Sequence, residues 1–289
     1  MYALRRAVYL FAFVTTVAHA HEFWIEPSYF KVAPGERIVA DLRVGRYFKG
    51  DSQVLFPAKF VSFDIIDAAG SRPVTGRLGD IPAATVTTQR AGLHVLAYRS
   101  THSSVIYEDF AKLENFARAE GVEWVIDEHR RRGLPETGIK EAYTRYAKTL
   151  VQVGDGAGED RPLGLPLELV AETNPYTSQP GDDIDVHLLW RNESDAGTQI
   201  TIFRKFKGCG ATRTAVRTDS EGRAAIPWGT GGRVLLNAVH VIEPGAETLE
   251  HVPGAVWESF WASLTFGLPE NRNEGEPCDP TDTSYEEVR

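Results

Sequence analysis

A mainly β fold, two immunoglobulin-like or transthyretin-like sandwiches with a helical insertion between them, follows from three features of the sequence. Short runs of alternating or β-branched residues recur in both halves of the chain. Gly, Pro, Asn and Asp clusters separate these runs at regular intervals, the spacing of strands in a sandwich. Between them, after Ser103, the apolar residues change to helical spacing.

The chain begins with Arg5 and Arg6, a nearly unbroken apolar run from Ala7 to Val14, and Ala18 and Ala20 at an A-x-A site. That is the pattern of a secretory signal peptide, residues 1–20, cut after Ala20. The run is too short to span a bilayer, so the expected mature chain is periplasmic or secreted, with no stable membrane insertion. His21 would then carry a free α-amine beside its imidazole.

The first sandwich, residues 21–103, is read from "RIVADLRVG", "KFVSFDIID", "ATVTTQ" and "GLHVLAYRS". Phe23 and Trp24 are expected to pin the chain start against it, with Glu22 and Glu26 as solvated strand-edge charges. In the insertion, residues 104–150, Phe110, Leu113, Phe116 and Ala117 lie at helical spacing. Ser103 or Ser104 could cap this helix and Gly121 could end it. A second short helix is expected through Trp124 to Arg131. The stretch "ETGIKEAYTRYAKTLVQVG" should begin helically and become strand near Thr149. After the Gly, Asp and Pro-rich joint "GDGAGEDRPLGLP", residues 151–267 form the second sandwich, and residues 268–289 an acidic, mobile tail.

Composition limits the chemistry. The net charge is −9, reaching −11 once Arg5 and Arg6 leave with the signal. This argues against a nucleic-acid partner, which needs basic surface to displace phosphate counterions. Cys209 and Cys278 are the only cysteines and Met1 the only methionine. In an oxidising compartment the cysteines favour a disulfide over a metal pair. Any metal site must then use imidazole, amine, carboxylate or carbonyl donors, which suit Ni²⁺, Co²⁺, Zn²⁺ or Cu²⁺ better than Cu⁺.

The blocks "AHAHEFWIEP", "DLRVGRYFKGD", "GIKEAYTRYAKTLVQVG", "PLGLPLELVAETNPY", "AVHV" and "WASLTF", in that order, resemble the periplasmic family called domain of unknown function 4198. The resemblance implies a secreted two-domain β protein and, from the family's association with nickel-uptake proteins, a transition-metal ligand. His21 and His240 fall in its matching blocks.

Among candidate ligands, His21 leads, because its amine and imidazole can close one chelate ring on a single ion. Both must lose protons to bind, so affinity should fall with acidification. His240 comes next: in "LLNAVHVIEPG" alternation puts it on one face with Ala238, away from Val239 and Val241. His94 is the third candidate, and His187 a weaker one, each on a strand where a hydrogen-bonded structural histidine is the usual case. His102, His129 and His251 have no partner in sequence.

The chain lacks G-x-S-x-G, H-E-x-x-H and a P-loop, and Asp182, Asp183 and Asp185 lack the glycine and distal glutamate of an EF-hand. The expectation is therefore a non-enzymatic periplasmic protein that captures Ni, Co, Cu or Zn and passes it to an uptake or handling system, a membrane metal transporter being the natural recipient. The alternatives are a non-catalytic interaction module with Ig-like domains and, behind it, a histidine-brace copper oxidase.

Overall fold

The computed structural model describes residues 22–179, 181–229 and 231–268. The expected signal peptide, His21, Cys278 and residues 269–289 of the expected tail lie outside them. In chain order the strands are β1 (Glu22–Pro27), β2 (Lys31–Val32), β3 (Arg37–Arg46), β4 (Lys49–Gln53), β5 (Phe60–Asp67), β6 (Gly70–Pro73), β7 (Ala84–Thr87), β8 (Gly92–Ser100) and β9 (Ser103–Asp109). Helices α1 (Phe110–Ala119) and α2 (Trp124–Arg131) lead to β10 (Thr137–Val153). Then come β11 (Leu167–Ala171), β12 (Ile184–Trp190), β13 (Glu193–Ser194), β14 (Gln199–Lys205), β15 (Ala211–Arg217), β16 (Arg223–Ile226) and β17 (Gly232–Ile242). Helix α3 (Ala246–His251) precedes β18 (Trp257–Leu268).

The chain is mainly β, with several sheets. Among the described residues, a ten-stranded sheet runs β15-β14-β17-β18-β10-β8-β5-β6, with β2 and β9 also paired to β10. A four-stranded sheet of β1, β3, β4 and β7 and another of β11, β12, β13 and β16 complete the set.

Alternation along the shared strands feeds two cores, because successive side chains leave a strand on opposite faces. On β10, Ala147, Val151 and Val153 join Phe23, Ile25, Ile38 and Phe63 in one cluster, while Tyr146 and Leu150 join Leu169, Leu188 and Phe266 in another. A third cluster, with Leu113, Phe116 and Val125, seats the helices on Val239, Trp257 and Trp261. One sheet therefore serves both halves of the chain.

Two local expectations are corrected. Residues 137–148 are strand rather than helix: β10 pairs in parallel with β18 and antiparallel with β8 and β9. These ladders outweigh the helix preference of its Ala, Lys and Glu residues. Ser103 and Ser104 lie in β9, and the cap of α1 is Asp109, whose carboxylate accepts from the Lys112 amide at 3.0 Å. Gly121, at φ 72°, does follow the end of α1.

A buried ion cluster fastens the joint. Lys148 Nζ lies 2.8 Å from Asp160 and 3.0 Å from Glu168, with all three side chains 1% exposed. Cys209 is disulfide-bonded.

Candidate functional site: a carboxyl-lined cavity at the chain start

The hairpin joining β3 and β4 shapes the start of the described chain. Gly45 pairs with Gly50 and Arg46 with Lys49, leaving Tyr47 and Phe48 as the turn. Both sit in the left-handed region, at φ 54° and 56°, where such turns normally place Asn or Gly. The strain is of order 1–3 kcal/mol per residue. Packing offsets it: Phe48 is buried and meets Trp24 edge-on, ring centroids 5.5 Å apart. Trp24, itself fully buried, joins Phe203 and Leu235 in the same cluster. Phe23 and Trp24 thus fasten the chain start, as expected from their size.

Between this hairpin, α1 and β15 lies a cavity of about 170 Å³. Glu22, Glu120, Arg46, Tyr47, Lys112 and Arg213 are among the residues lining it. Glu22 is the surprise. Expected as a solvated edge charge, it is 9% exposed, set in a cavity whose other walls are α1, the hairpin and β15. Its Oε2 is buried with no hydrogen-bond partner. Burial pushes the Glu22 carboxyl up to about 7, against the pull of its own backbone amide and of Arg46, Arg213 and Arg145.

Glu120, just past the end of α1, accepts from the Asn237 amide at 3.1 Å. Burial first, and then the negative charge of Glu22, raise it to about 8. Behind the cavity, Tyr107 Oη donates to Glu141 Oε2 at 2.7 Å, Ser259 donates to Oε1, and Trp261 Nε1 donates to Ser259 at 2.9 Å. Full burial pushes Glu141 up to about 7 despite these donors. Two carboxyl groups with raised affinity for protons thus line one cavity and a third stands behind its Tyr107 wall, a concentration typical of sites with a task.

The expected histidines divide differently. His21 lies outside the described residues, immediately before Glu22. His240 shares a face with Ala238, but that face packs against a core rather than away from one. Its ring stacks on Trp190 at 4.1 Å and its Nδ1 lies 2.9 Å from Asp195 Oδ2. Asn237, which reaches Glu120, is three residues earlier on β17 and so on the opposite face. The structure therefore does not bring His240 to the Glu22 cavity.

His94 is 1% exposed, with Nδ1 3.3 Å from the Gly92 carbonyl and Nε2 3.6 Å from Asp67. Burial lowers its pKa. His187 Nε2 lies 2.9 Å from Ser194 Oγ. His129, for which no partner was visible, accepts from Trp257 Nε1 at 3.0 Å and lies 2.9 Å from the Pro135 carbonyl. Glu26 is held by Arg43 at 2.7 Å and Arg233 at 2.9 Å. Among the described residues no three His, Cys, Asp or Glu side chains group to hold a metal ion.

Glu120 carries no local signal, since it follows the helix that brings it. Glu141 could have been found: read as strand, "GIKEAY" puts it in line with Ile139 on an inward face.

These features define a mainly β protein with layered sheets and a cavity of mixed carboxyl and basic lining at the start of its first strand. The model for the family described as domain of unknown function (DUF4198) matches residues 18–242, and the chain belongs to that family. No curated protein matches it. Solved structures with some likeness include a tetra-tandem repeat from the extending region of a large adhesion protein, at 9% identity, covering 86% of this chain and 50% of that one, TM-score 0.22. The D0-D1 domain of intimin gives 13% identity, 84% and 96% coverage and TM-score 0.19. A Salmonella alpha-2-macroglobulin mutant gives 12%, 86% and 15%, and 0.21. The chain spans half the length of the first. At TM-scores this low, none of these likenesses bears on function.

Proposed function

We propose that this protein binds a divalent transition metal, Ni²⁺, Co²⁺, Cu²⁺ or Zn²⁺, as cargo in the periplasm, and passes it to an uptake or handling system such as a membrane transporter. The observation that carries the reading is the buried, unpartnered Oε2 of Glu22, set with Glu120 at one cavity directly after position 21. The layered sheets are read, in the same proposal, as two Ig-like sandwiches sharing their central sheet.

Cleavage after Ala20 would add the amine and imidazole of His21 to Glu22 and Glu120. Two nitrogen and two carboxylate donors suit a borderline divalent ion. In this reading His21 and Glu22 chelate the ion, Glu120 closes the site from α1, and Asn237 orients Glu120. Arg46 and Arg213 partly offset the burial that raises the two carboxyl groups. Release follows reprotonation: Glu22 at about 7 and Glu120 at about 8 both regain protons under mild acid.

The test is calorimetric titration of Ni²⁺ and Cu²⁺ into three proteins: the mature chain starting at His21, the same chain with one glycine added before His21, and Glu120→Gln. One tight site is expected in the first, weakened about tenfold or more in the other two. Equal affinity in all three would refute the proposal.

A further inference from the structure

The opposite face of the central sheet holds a second cavity, larger and different in character. It encloses about 790 Å³ among the ends of β8, β10 and β18 and helix α3. Glu258 lies in its wall and is 4% exposed. Its Oε2 takes only a long contact of 3.4 Å from the Gly245 amide, and its Oε1 lies 3.9 Å from His102 Nε2. Among the described residues no lysine or arginine pairs with it. His102 in turn stacks on His251, with ring centroids 5.0 Å apart.

Two arginines, Arg99 and Arg191, line the same cavity. Among the described residues neither pairs with a carboxylate. Arg191 sits in a left-handed turn at φ 52° and lies 4.6 Å over the Trp190 ring. Tyr146, whose hydroxyl lies 2.7 Å from that of Thr144, lines the same cavity as Arg99, Arg191 and Glu258.

Each charge asks for a different partner. A buried carboxylate without an ion pair is costly until a cation or ammonium reaches it. The two arginines favour a carboxylate, which a guanidinium grips with two parallel bonds. A simple cation would satisfy Glu258 and face two guanidinium groups. A polyanion would satisfy the arginines and meet Glu258, with Glu243 and Glu247 beside it. A neutral sugar would leave both charges facing water. The volume falls in the range of about 300–1,000 Å³ usual for small-molecule sites.

We propose that this cavity binds a small zwitterion, a free α-amino acid or short peptide, with its ammonium at Glu258 and its carboxylate at Arg99 and Arg191. The site is separate from the Glu22 cavity, and binding there needs no metal.

Calorimetry in buffer containing EDTA, so that no metal effect enters, tests it with L-alanyl-L-alanine, its N-acetyl derivative, its C-terminal amide and the twenty free amino acids as probes. Saturable binding is expected for the dipeptide or at least one free amino acid. Blocking either end should weaken it about tenfold or more. In Glu258→Gln acetylation should cease to matter, and in Arg191→Ala amidation should cease to matter. Thermal melts check that both variants fold; if Glu258→Gln does not, Arg191→Ala with the amide carries the comparison. Absence of saturable binding by every probe, or binding indifferent to both blocks, overturns the proposal.

Discussion

His240 Nδ1 and Asp195 Oδ2 stand 2.9 Å apart, the imidazole lying flat on Trp190. The family-block histidine is thus held by a carboxylate and an indole on the face of β17 that turns away from the chain start. His240→Ala should leave Ni²⁺ affinity within about twofold of wild type. It should cost about 1–3 kcal/mol of stability, because Asp195, only 10% exposed in its side chain, keeps Thr198 on Oδ1 but loses its partner on Oδ2. Metal titration beside denaturant melts separates the two effects, and a large loss of affinity would return His240 to the metal site.

Stability of the metal-free protein should fall as pH rises from 6.5 to 8.5. Glu22 and Glu141, raised to about 7, and Glu120, raised to about 8, hold protons more tightly in the folded chain than in the unfolded one. Their contribution is complete below the ordinary carboxylate range and is lost as pH passes through these folded values, at most about 1.4 kcal/mol per pH unit for each group. His94, whose pKa is lowered by burial, acts below this window, where the unfolded chain gains the proton. Melts in EDTA should show the fall, and Glu120→Gln should flatten it. A melting temperature that climbs toward pH 8.5 would contradict this account.

Metal affinity should run the other way, weakening as pH drops from 8 to 6. Every donor in the proposed set must be deprotonated, so the loss should be steeper than about tenfold per pH unit near pH 6.5. Competition titrations at three pH values measure the slope. A slope of zero would mean that the ion sits on groups already unprotonated.

Lys148→Met should be severe, about 3–5 kcal/mol, since it strands Asp160 and Glu168 in the interior without their cation. Circular dichroism during urea unfolding would show this. Replacing all three by apolar residues should recover much of the loss.

Part of the fold was legible because strand alternation is local: in "RIVADLRVG" the buried Ile38, Ala40 and Leu42 alternate with more exposed neighbours and announce their face directly. The helices showed through the spacing of Leu113, Phe116 and Ala117. β10 was hidden because its Ala, Lys and Glu residues favour helix when taken alone, and its ladders with β8, β9 and β18, the last more than 100 residues later, override that preference. The same distance explains Glu22. Nothing near it in sequence says that α1 will wall its cavity, so its burial and the approach of Glu120 had to be seen. For His240 the alternation was correctly read, but Trp190 and Asp195, which fill the space in front of it, come from another strand pair.

The seventeen-residue strand β10 hydrogen-bonds to early strands along one stretch and to the last strand along another. Excising either half would leave a ragged margin of amides and carbonyls, open to any extended peptide in reach. The two halves therefore hold together through one strand, and a nick in the Gly154–Pro166 joint would leave two pieces that still cling together.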